Sequence, residues 1–231
     1  MYFCQKLRLI IVIHIEHFTF NAFQTRCCVI WDEAGNCAFT DPGFSSEAER
    51  DKIMDLVSVK GLKPVCIMLT HSHFDHILGV AELAAHFGGI PVYMHPEDRF
   101  TLENNDFFVR NYGVPMPAAF ETTDIAEGDT VKVGELEFEV IFTPGHSRGG
   151  VCYLERTCKV LISGDTLFAG AIGRSDHPGG DYDALMKSIL EKLMVLDGDI
   201  TVIPGHGPCT DIATEGMTNP FLLPFNEPFE D

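Results

Sequence analysis

Three of the chain's ten histidines, His71, His73 and His76, lie within six residues, together with Asp75. They follow an apolar run at residues 65–69, which predicts a buried strand that presents polar side chains at its end. Alternate residues of an extended backbone point to one side, so His71, His73 and Asp75 are expected to share a face. Imidazole and carboxylate groups at this density are the donors that a transition-metal site requires.

The backbone is expected to turn at about Asp75. Residues 77–87 read as a helix that a pair of glycines closes. The turn would aim Asp75 and His76 differently from the first two histidines, which predicts two adjacent metal positions. A polar surface loop is the alternative interpretation, and it explains a single histidine better than it explains three with an aspartate between them.

Three further polar residues follow strand-like apolar runs. His146 and His206 each come after a Pro-Gly turn, and Asp165 comes directly after a glycine. Strand ends that converge place such side chains at one edge of a sheet, where α/β folds often carry their sites. A carboxylate beside a glycine can approach and bridge two cations. Each of these patterns alone is also typical of an ordinary loop.

The elements around these motifs predict a mixed α/β (α+β) fold. We expect ten strands near residues 13–20, 27–31, 37–40, 65–69, 91–95, 130–133, 136–142, 151–154, 160–162 and 200–203. Helices are expected at 77–87, at 184–196 after Asp181 or Asp183, and to about residue 59 after a capping box of Ser46 and Glu49. Residues 96–117 are expected to be a helical or irregular excursion.

Bulk composition narrows the function. The 231 residues, 45% hydrophobic and 22% charged, suit one domain over 1–231, with residues 1–12 as an extension to which the sequence assigns no role. The net charge of −18 argues against nucleic acid and anionic membranes as partners. No apolar run has the length of a membrane span. The sequence does not assign an oligomeric state.

The cysteines indicate a reducing compartment. Eight are present without a Cys-x-x-Cys pair, and the chain is too long and too rich in core residues to need a disulfide framework. We therefore expect free thiols and a cytoplasmic protein. A short signal peptide at residues 1–15 is the alternative, but its apolar run is brief and no small-residue cleavage site follows it.

Taken together, the motifs at residues 71–76, 143–146, 163–166 and 204–207 resemble the metallo-β-lactamase superfamily, and within it the glyoxalase II (hydroxyacylglutathione hydrolase) branch, over residues 13–223. The resemblance implies an αββα sandwich with a dinuclear metal centre. One metal would be bound by His71, His73 and His146. The other would be bound by Asp75, His76 and His206, with Asp165 bridging both.

The resemblance also implies an activity. A hydroxide that bridges the two cations would hydrolyse a small-molecule thioester of the S-acylglutathione type. Zinc is the favoured metal, with iron and manganese as alternatives. Asp75 would be mainly a ligand that could assist proton transfer. Arg174 is a candidate for orienting a substrate carboxylate, with an ion pair to Asp176 as the alternative.

Several departures and alternatives bear on the substrate. Only 25 residues follow His206, so the C-terminal helical domain of full-length glyoxalase II is expected to be absent. Asp165 stands where zinc β-lactamases of the superfamily carry a cysteine in their ligand set, which argues against antibiotic hydrolysis. A persulfide dioxygenase with one iron, a hydrolase of lactones or phosphoesters, and a non-catalytic domain of this fold are the alternatives. Five remaining histidines are expected to be surface, loop or supporting residues, not ligands: His14, His17, His86, His95 and His177.

Overall fold

The computed structural model describes residues 11–226; residues 1–10, and with them most of the expected extension, lie outside the described part, as do residues 227–231. The first sheet has six strands in sequential order. They are β1 (His14–Phe20), β2 (Thr25–Trp31), β3 (Asn36–Thr40), β4 (Lys63–Met68), β5 (Val92–Met94) and β6 (Thr123–Asp124). The β1 to β3 pairings are antiparallel, and β3 to β6 run parallel.

The remaining strands form a second large sheet and one small hairpin. They are β7 (Thr130–Val133), β8 (Leu136–Phe142), β9 (Val151–Glu155), β10 (Val160–Gly164), β11 (Leu167–Phe168), β12 (Ala171–Ile172), β13 (Thr201–Pro204) and β14 (Thr210–Asp211). The large sheet has the order β14-β13-β10-β9-β8-β7, and β11 pairs only with β12. Within it β10 and β13 run parallel, and the other neighbouring strands pair antiparallel.

Helices lie in the connections between these strands. They are α1 (Glu47–Lys60), α2 (Phe74–Ile77), α3 (Val80–His86), α4 (Arg99–Glu103), α5 (Asn105–Tyr112), α6 (Tyr182–Ser188), α7 (Ile212–Thr218) and α8 (Leu223–Asn226). A 3₁₀ turn at Pro96–Asp98 precedes α4, and a π-helical turn at Ile189–Leu193 follows α6. No helix in the described part of the chain has the length and apolar character needed to cross a bilayer.

Three buried clusters define an αββα sandwich, which confirms the predicted fold. Val29 of β2 packs in one cluster with Ile53 of α1 and Leu83 of α3. Its strand neighbour Ile30 points the other way, into a cluster between the two sheets that includes Phe138 of β8. A third cluster joins the outer face of the second sheet to α6 and α7. Each central strand is therefore buried on both faces, as its continuous apolar sequence predicts.

The strand predictions are confirmed to within two residues at each end. The missed strands β6, β11, β12 and β14 have two residues each, and strands this short depend on their neighbours. The seven cysteines in the described part of the chain are free thiols, as expected. Cys4 lies outside the described residues.

The predicted continuous helix over residues 77–87 is wrong. The chain forms the short helix α2 from Phe74, and the helix α3 begins only at Val80. Between them the Gly79 N–H donates to the Pro42 carbonyl at 2.8 Å, and a Cβ at Gly79 would lie 2.3 Å from the Phe44 ring. Close packing of this neighbouring segment therefore interrupts the helix. The helix predicted at 184–196 is α6 up to Ser188 and continues as the π-helical turn to Leu193.

The predicted capping box is only half present. Ser46 Oγ accepts from the Glu49 N–H at 3.3 Å, and α1 ends at Gly61 with φ of +62°. The Glu49 carboxylate does not return to Ser46. It accepts instead from the Ser45 N–H at 2.7 Å and from the Asn21 N–H at 2.8 Å. The start of α1 is thereby tied to the turn between β1 and β2, which supports the site described below.

Candidate metal centre

All seven predicted ligands lie together at one edge of the sandwich. His71 and His73 follow β4, and Asp75 and His76 lie in α2. The other three follow strands of the second sheet: His146 after β8, Asp165 after β10 and His206 after β13. The turn to the helix begins at Phe74, one residue before the predicted position. The sequence therefore places the polar residues correctly at strand ends, and the sandwich brings those ends together.

The seven side chains form two triads on either side of one carboxylate. His146 Nε2 lies 2.9 Å from His73 Nδ1 and 3.2 Å from His71 Nε2. In the second triad, His206 Nε2 lies 3.3 Å from His76 Nε2 and 3.6 Å from Asp75 Oδ2. Within each triad the possible ligand atoms lie within 4.8 Å of one another, so each triad could hold a metal ion.

Asp165 lies between the two triads. Its Oδ2 is 3.5 Å from His146 Nε2 and 3.4 Å from His206 Nε2, and its Oδ1 is 3.5 Å from His76 Nε2. A Cβ at Gly205 would lie 2.3 Å from Asp165 Oδ1, so a glycine is required for this approach. Asp165 Oδ1 is buried and has no hydrogen-bond partner. A buried carboxylate oxygen without a donor fits a site that binds cations.

Hydrogen bonds fix which nitrogen faces the centre in four of the five imidazoles. Four of the histidines use Nδ1 away from the centre and turn Nε2 inward. The Nδ1 atoms lie 3.1 Å from Thr70 Oγ1 for His71, 3.1 Å from Asp41 Oδ2 for His76, 2.7 Å from the Arg174 carbonyl for His146 and 3.0 Å from the Phe23 carbonyl for His206. His73 is reversed, with Nδ1 toward the cluster. Such partners hold imidazole rings in the tautomer that binds metal.

Asp41 supports both halves of the His71–His76 motif, and sequence reasoning missed it. Its Oδ1 accepts from the Thr70 N–H at 2.8 Å, and its Oδ2 accepts from Thr70 Oγ1 at 2.6 Å and lies 3.1 Å from His76 Nδ1. It has φ of +45° at the end of β3. The available signal was its position, since it follows a strand and precedes Pro-Gly, but that pattern reads equally as a strand end.

Asp98 is a second missed residue, and it joins the two ligand loops. Its buried carboxylate accepts from the Ser72 N–H and, at 3.0 Å, from the Gly149 N–H. These two residues lie beside ligands on different sheets. Asp98 sits in the excursion over residues 96–117, where nothing in the sequence marks it as special.

Residues at the turn between β1 and β2 donate hydrogen bonds that hold Asp75 in position. Thr25 Oγ1 donates to Asp75 Oδ2 at 2.7 Å, and Asn21 Nδ2 donates to the Asp75 carbonyl at 3.0 Å. A Cβ at Gly43 would lie 1.8 Å from that same carbonyl oxygen. The β1–β2 turn, the end of β3 and the start of α2 are therefore packed as one support beneath the second triad.

The electrostatics of the two triads differ. Burial lowers the pKa of His71 and His73, and neighbouring histidines lower it further; burial also lowers the pKa of His146 against the effect of Asp165. These imidazoles are neutral and keep a lone pair for a metal. Burial would lower the pKa of His76 too, but Asp75, Asp165 and Asp41 raise it to about 10.

The carboxylate between the triads responds to the same groups. Burial would raise the pKa of Asp165, but His76, His206 and His146 hold it well below its usual range. Burial would lower the pKa of His206, and Asp165 raises it. In the absence of metal, the raised pKa values of His76 and His206 favour protonated imidazoles beside the buried carboxylates. Five imidazoles and two carboxylates without a thiolate suit divalent ions such as zinc, iron or manganese.

A cleft of about 600 Å³ opens over this edge, and Arg174 and His177 both line it. The Arg174 side chain is 68% exposed and pairs with Asp176, with Nε 2.9 Å from Oδ1 and Nη2 3.1 Å from Oδ2. The alternative prediction of an ion pair is thus present in the structure. The predicted contact of Arg174 with a substrate stays a prediction.

His177 lies in a loop, as expected, but its position was not foreseen. Its ring centroid is 4.8 Å from that of His73 and 5.1 Å from that of His146. His95 is buried and stacks on Phe142 with 4.1 Å between ring centroids, so of its two expected positions, surface or supporting, the surface one is wrong. Neither residue belongs to a described metal-ligand triad.

Comparison with known proteins agrees with this geometry. A family model described as the Metallo-beta-lactamase superfamily matches residues 21–206. The chain belongs to this superfamily. It is similar to hydroxyacylglutathione hydrolase GloC of Haemophilus influenzae, with 38% identity over 211 residues that cover 90% of this chain and 98% of the relative.

Solved structures show the same fold. BLEG-1 B3 metallo-beta-lactamase has a TM-score of 0.82 and 35% identity, covering 90% of this chain and 99% of its own. TTHA1623, solved in a di-iron-bound form, has a TM-score of 0.79 and 36% identity, covering 90% and 100%. ETHE1 from Myxococcus xanthus has a TM-score of 0.73 and 25% identity, covering 94% and 92%.

The raised pKa of His76 predicts a pH-dependent stability in the metal-free protein. The pKa is about 10 in the folded protein against an ordinary value of 6.5, so the folded state retains a proton that the unfolded chain releases. This stabilisation is complete below the unfolded pKa and is lost as the pH rises toward the folded pKa, at up to about 1.4 kcal/mol per pH unit.

Urea unfolding of chelator-treated protein at about pH 7 and about pH 9 measures this loss, with His76→Gln as the matched control. The wild type should lose more free energy of unfolding than the variant over this interval. Equal losses in the two proteins would contradict the assigned charge of His76.

Proposed function

We propose that this protein is a metal-dependent thioester hydrolase of the glyoxalase II type, which cleaves S-acylglutathione-type thioesters. The observation that carries the proposal is the pair of triads with Asp165 between them, at distances of 3.4 to 3.5 Å. Membership of the superfamily supports a metallo-hydrolase, and the similarity to hydroxyacylglutathione hydrolase GloC supports the thioester. The proposed ligand set is His71, His73 and His146 for one ion, Asp75, His76 and His206 for the other, and Asp165 for both.

Bound divalent cations supply an acidified water and a Lewis acid for the acyl carbonyl. The residues of the chain set the conditions for that chemistry. The neutral imidazoles of the first triad present lone pairs, and Asp165 holds the negative charge between the sites. Asp75 Oδ2 lies within 3.6 Å of both His76 and His206 and also accepts from Thr25 Oγ1, so this oxygen would be a metal ligand and would assist proton transfer. A thiolate leaves readily at neutral pH, so no separate acid is required.

We propose zinc as the metal, because mixed imidazole and carboxylate donors suit it. Iron is the alternative, and the di-iron-bound form of TTHA1623 is a property of that protein. We also propose a reducing, cytoplasmic location, on the ground that the seven described cysteines are free. Neither nucleic acid nor membrane is a proposed partner, given the net charge of −18.

A β-lactam is the second candidate substrate. The similarity to BLEG-1 B3 metallo-beta-lactamase favours it. Thioesters remain the first choice because a thiolate is a better leaving group than the amine of an amide. The two substrates can be compared directly on one preparation.

The test of the proposed function is release of free thiol from S-D-lactoylglutathione and from larger S-acylglutathiones by purified protein. Turnover should be abolished by chelation and restored by zinc. A chromogenic cephalosporin, assayed in parallel, tests the second candidate. Fully metallated protein that releases no thiol from any thioester would contradict the proposal, and oxygen uptake with a persulfide would then favour the dioxygenase.

The bridging position of Asp165 predicts the metal content of variants. Asp165→Ala should reduce bound metal more than His146→Ala or His206→Ala, since only the aspartate is proposed to bind both ions. Metal per chain, measured by plasma mass spectrometry after dialysis, gives the comparison. Asp176→Ala, which removes an exposed carboxylate beside the cleft, is the control for an unspecific effect of charge. Equal losses in the three ligand variants would argue against a bridge.

The proposed role of Arg174 predicts a substrate-dependent effect. Arg174→Ala should raise KM for S-acylglutathiones by about tenfold, with metal content unchanged because His146 is held by the Arg174 main-chain carbonyl. Asp176→Asn frees the guanidinium from its ion pair and should lower KM. If both variants match the wild type, Arg174 does not contact the substrate.

A further inference from the structure

The cleft above the metal centre has one continuous aromatic wall. It is formed by five rings from the β1–β2 turn, α2 and α5: Phe23, Phe74, Phe107, Phe108 and Tyr112. Phe108 begins the wall beside the ligand His73, with 4.7 Å between ring centroids. Phe23 makes edge-to-face contacts with Phe74 at 4.9 Å and with Tyr112 at 5.1 Å, and Phe107 makes one with Phe108 at 5.2 Å.

The inner and outer rings of the wall differ in exposure. Phe74 and Phe108 are 3% and 7% exposed, whereas Phe107 and Tyr112 are 46% and 51% exposed. The buried rings complete the fold and fix the positions of the outer ones. Exposed rings that are continuous with a reactive centre are informative, because a surface apolar patch of this kind marks a binding site.

The distribution of charged residues also indicates an apolar binding surface in the cleft. Arg174 is the only lysine or arginine among the described residues that line it, and Asp176 already pairs with Arg174. Phe23, Phe74, Phe107 and Phe108 have no polar side-chain atom with which to bind a hydroxyl group. Tyr112 carries the one hydroxyl group of the wall, and its side chain interacts with Arg174. The ionic thiol carrier therefore fits the Arg174 end of the wall, and an apolar acyl group fits the four phenylalanine rings.

We propose that the aromatic wall is an acyl-binding subsite and that the preferred thioesters carry an aromatic or similarly bulky apolar acyl group. This inference rests on the proposed thioesterase function and specifies its substrate class. A cleft of about 600 Å³ is large enough for a phenyl-bearing acyl group together with part of the carrier. Aromatic rings prefer the edge-to-face and offset contacts that this wall provides.

The kinetic test compares two substrates with the same carrier, S-phenylacetylglutathione and S-D-lactoylglutathione. The zinc-loaded protein should show a kcat/KM about tenfold or more higher for the phenylacetyl substrate. The double variant Phe107→Ala with Tyr112→Ala should lose that preference. Because Tyr112 also interacts with Arg174, a change in carrier binding would affect both substrates equally and cancel in the ratio of their kcat/KM values. The double variant Phe107→Leu with Tyr112→Phe keeps the wall apolar. It should retain most of the preference for the phenylacetyl substrate.

Phe225→Ala is the control for loss of an exposed aromatic ring. Phe225 is 56% exposed and does not line the cleft. This variant should behave as the wild type on both substrates. Because Phe107 and Tyr112 are half-exposed, their replacement should leave the fold and the zinc content intact, and both are checked on the same samples.

Binding of unreactive analogues gives a readout independent of turnover. The thioether S-(2-phenylethyl)glutathione should bind about tenfold more tightly than S-(2-hydroxypropyl)glutathione, and the double variant should abolish the difference in calorimetry. Equal affinities, or a preference that survives the double variant, would overturn the acyl subsite while thioester hydrolysis itself stands. Absence of hydrolysis of every thioester, with the binding preference intact, would overturn the proposed function and leave an apolar ligand site.

Discussion

A buried carboxylate between two groups of imidazoles is the constraint on which the rest of this structure depends. Asp165 lies 3.4 to 3.5 Å from nitrogens of both triads, and its Oδ1 has no hydrogen-bond donor. Burying such a group without compensation is costly. When metal is absent, the raised pKa values of His76 and His206 favour protons that offset this charge. Cations would offset it and would also bind the neutral imidazoles of the first triad.

The scaffold keeps these groups close by fixing the backbone around them. Asp41 ties the end of β3 to Thr70 and His76, and Asp98 ties the loop at Ser72 to the loop at Gly149. Both carboxylates accept hydrogen bonds from backbone N–H groups as well as from side chains. The ligands are therefore mounted on short loops that cannot separate without breaking several buried hydrogen bonds. This preorganisation is what metal sites and catalytic sites require of the residues that surround the ligands.

Local sequence signals predict most of this arrangement. Each group of ligands comes after an apolar strand, and a strand end is visible from the sequence pattern, so the seven candidates could be predicted as ligands at one sheet edge. The αββα architecture and the division into two triads were predicted from the resemblance. Contacts between segments that are distant in the sequence could not be predicted. The break of the helix at Gly79 depends on Phe44, and the roles of Asp41 and Asp98 depend on which loops meet. His177 reads as a loop residue, and only the folded structure brings it beside His73.

The central claim is that Asp165 joins two metal sites, and diffraction from crystals of zinc-loaded protein tests it most directly. Data collected on both sides of the zinc absorption edge locate the metal without reference to the protein ligands. The account predicts two anomalous peaks per chain, separated by about 3.5–4 Å, one beside His71, His73 and His146 and the other beside Asp75, His76 and His206, with Asp165 contacting both. A single peak in fully loaded crystals, or two peaks of which Asp165 contacts only one, would contradict it.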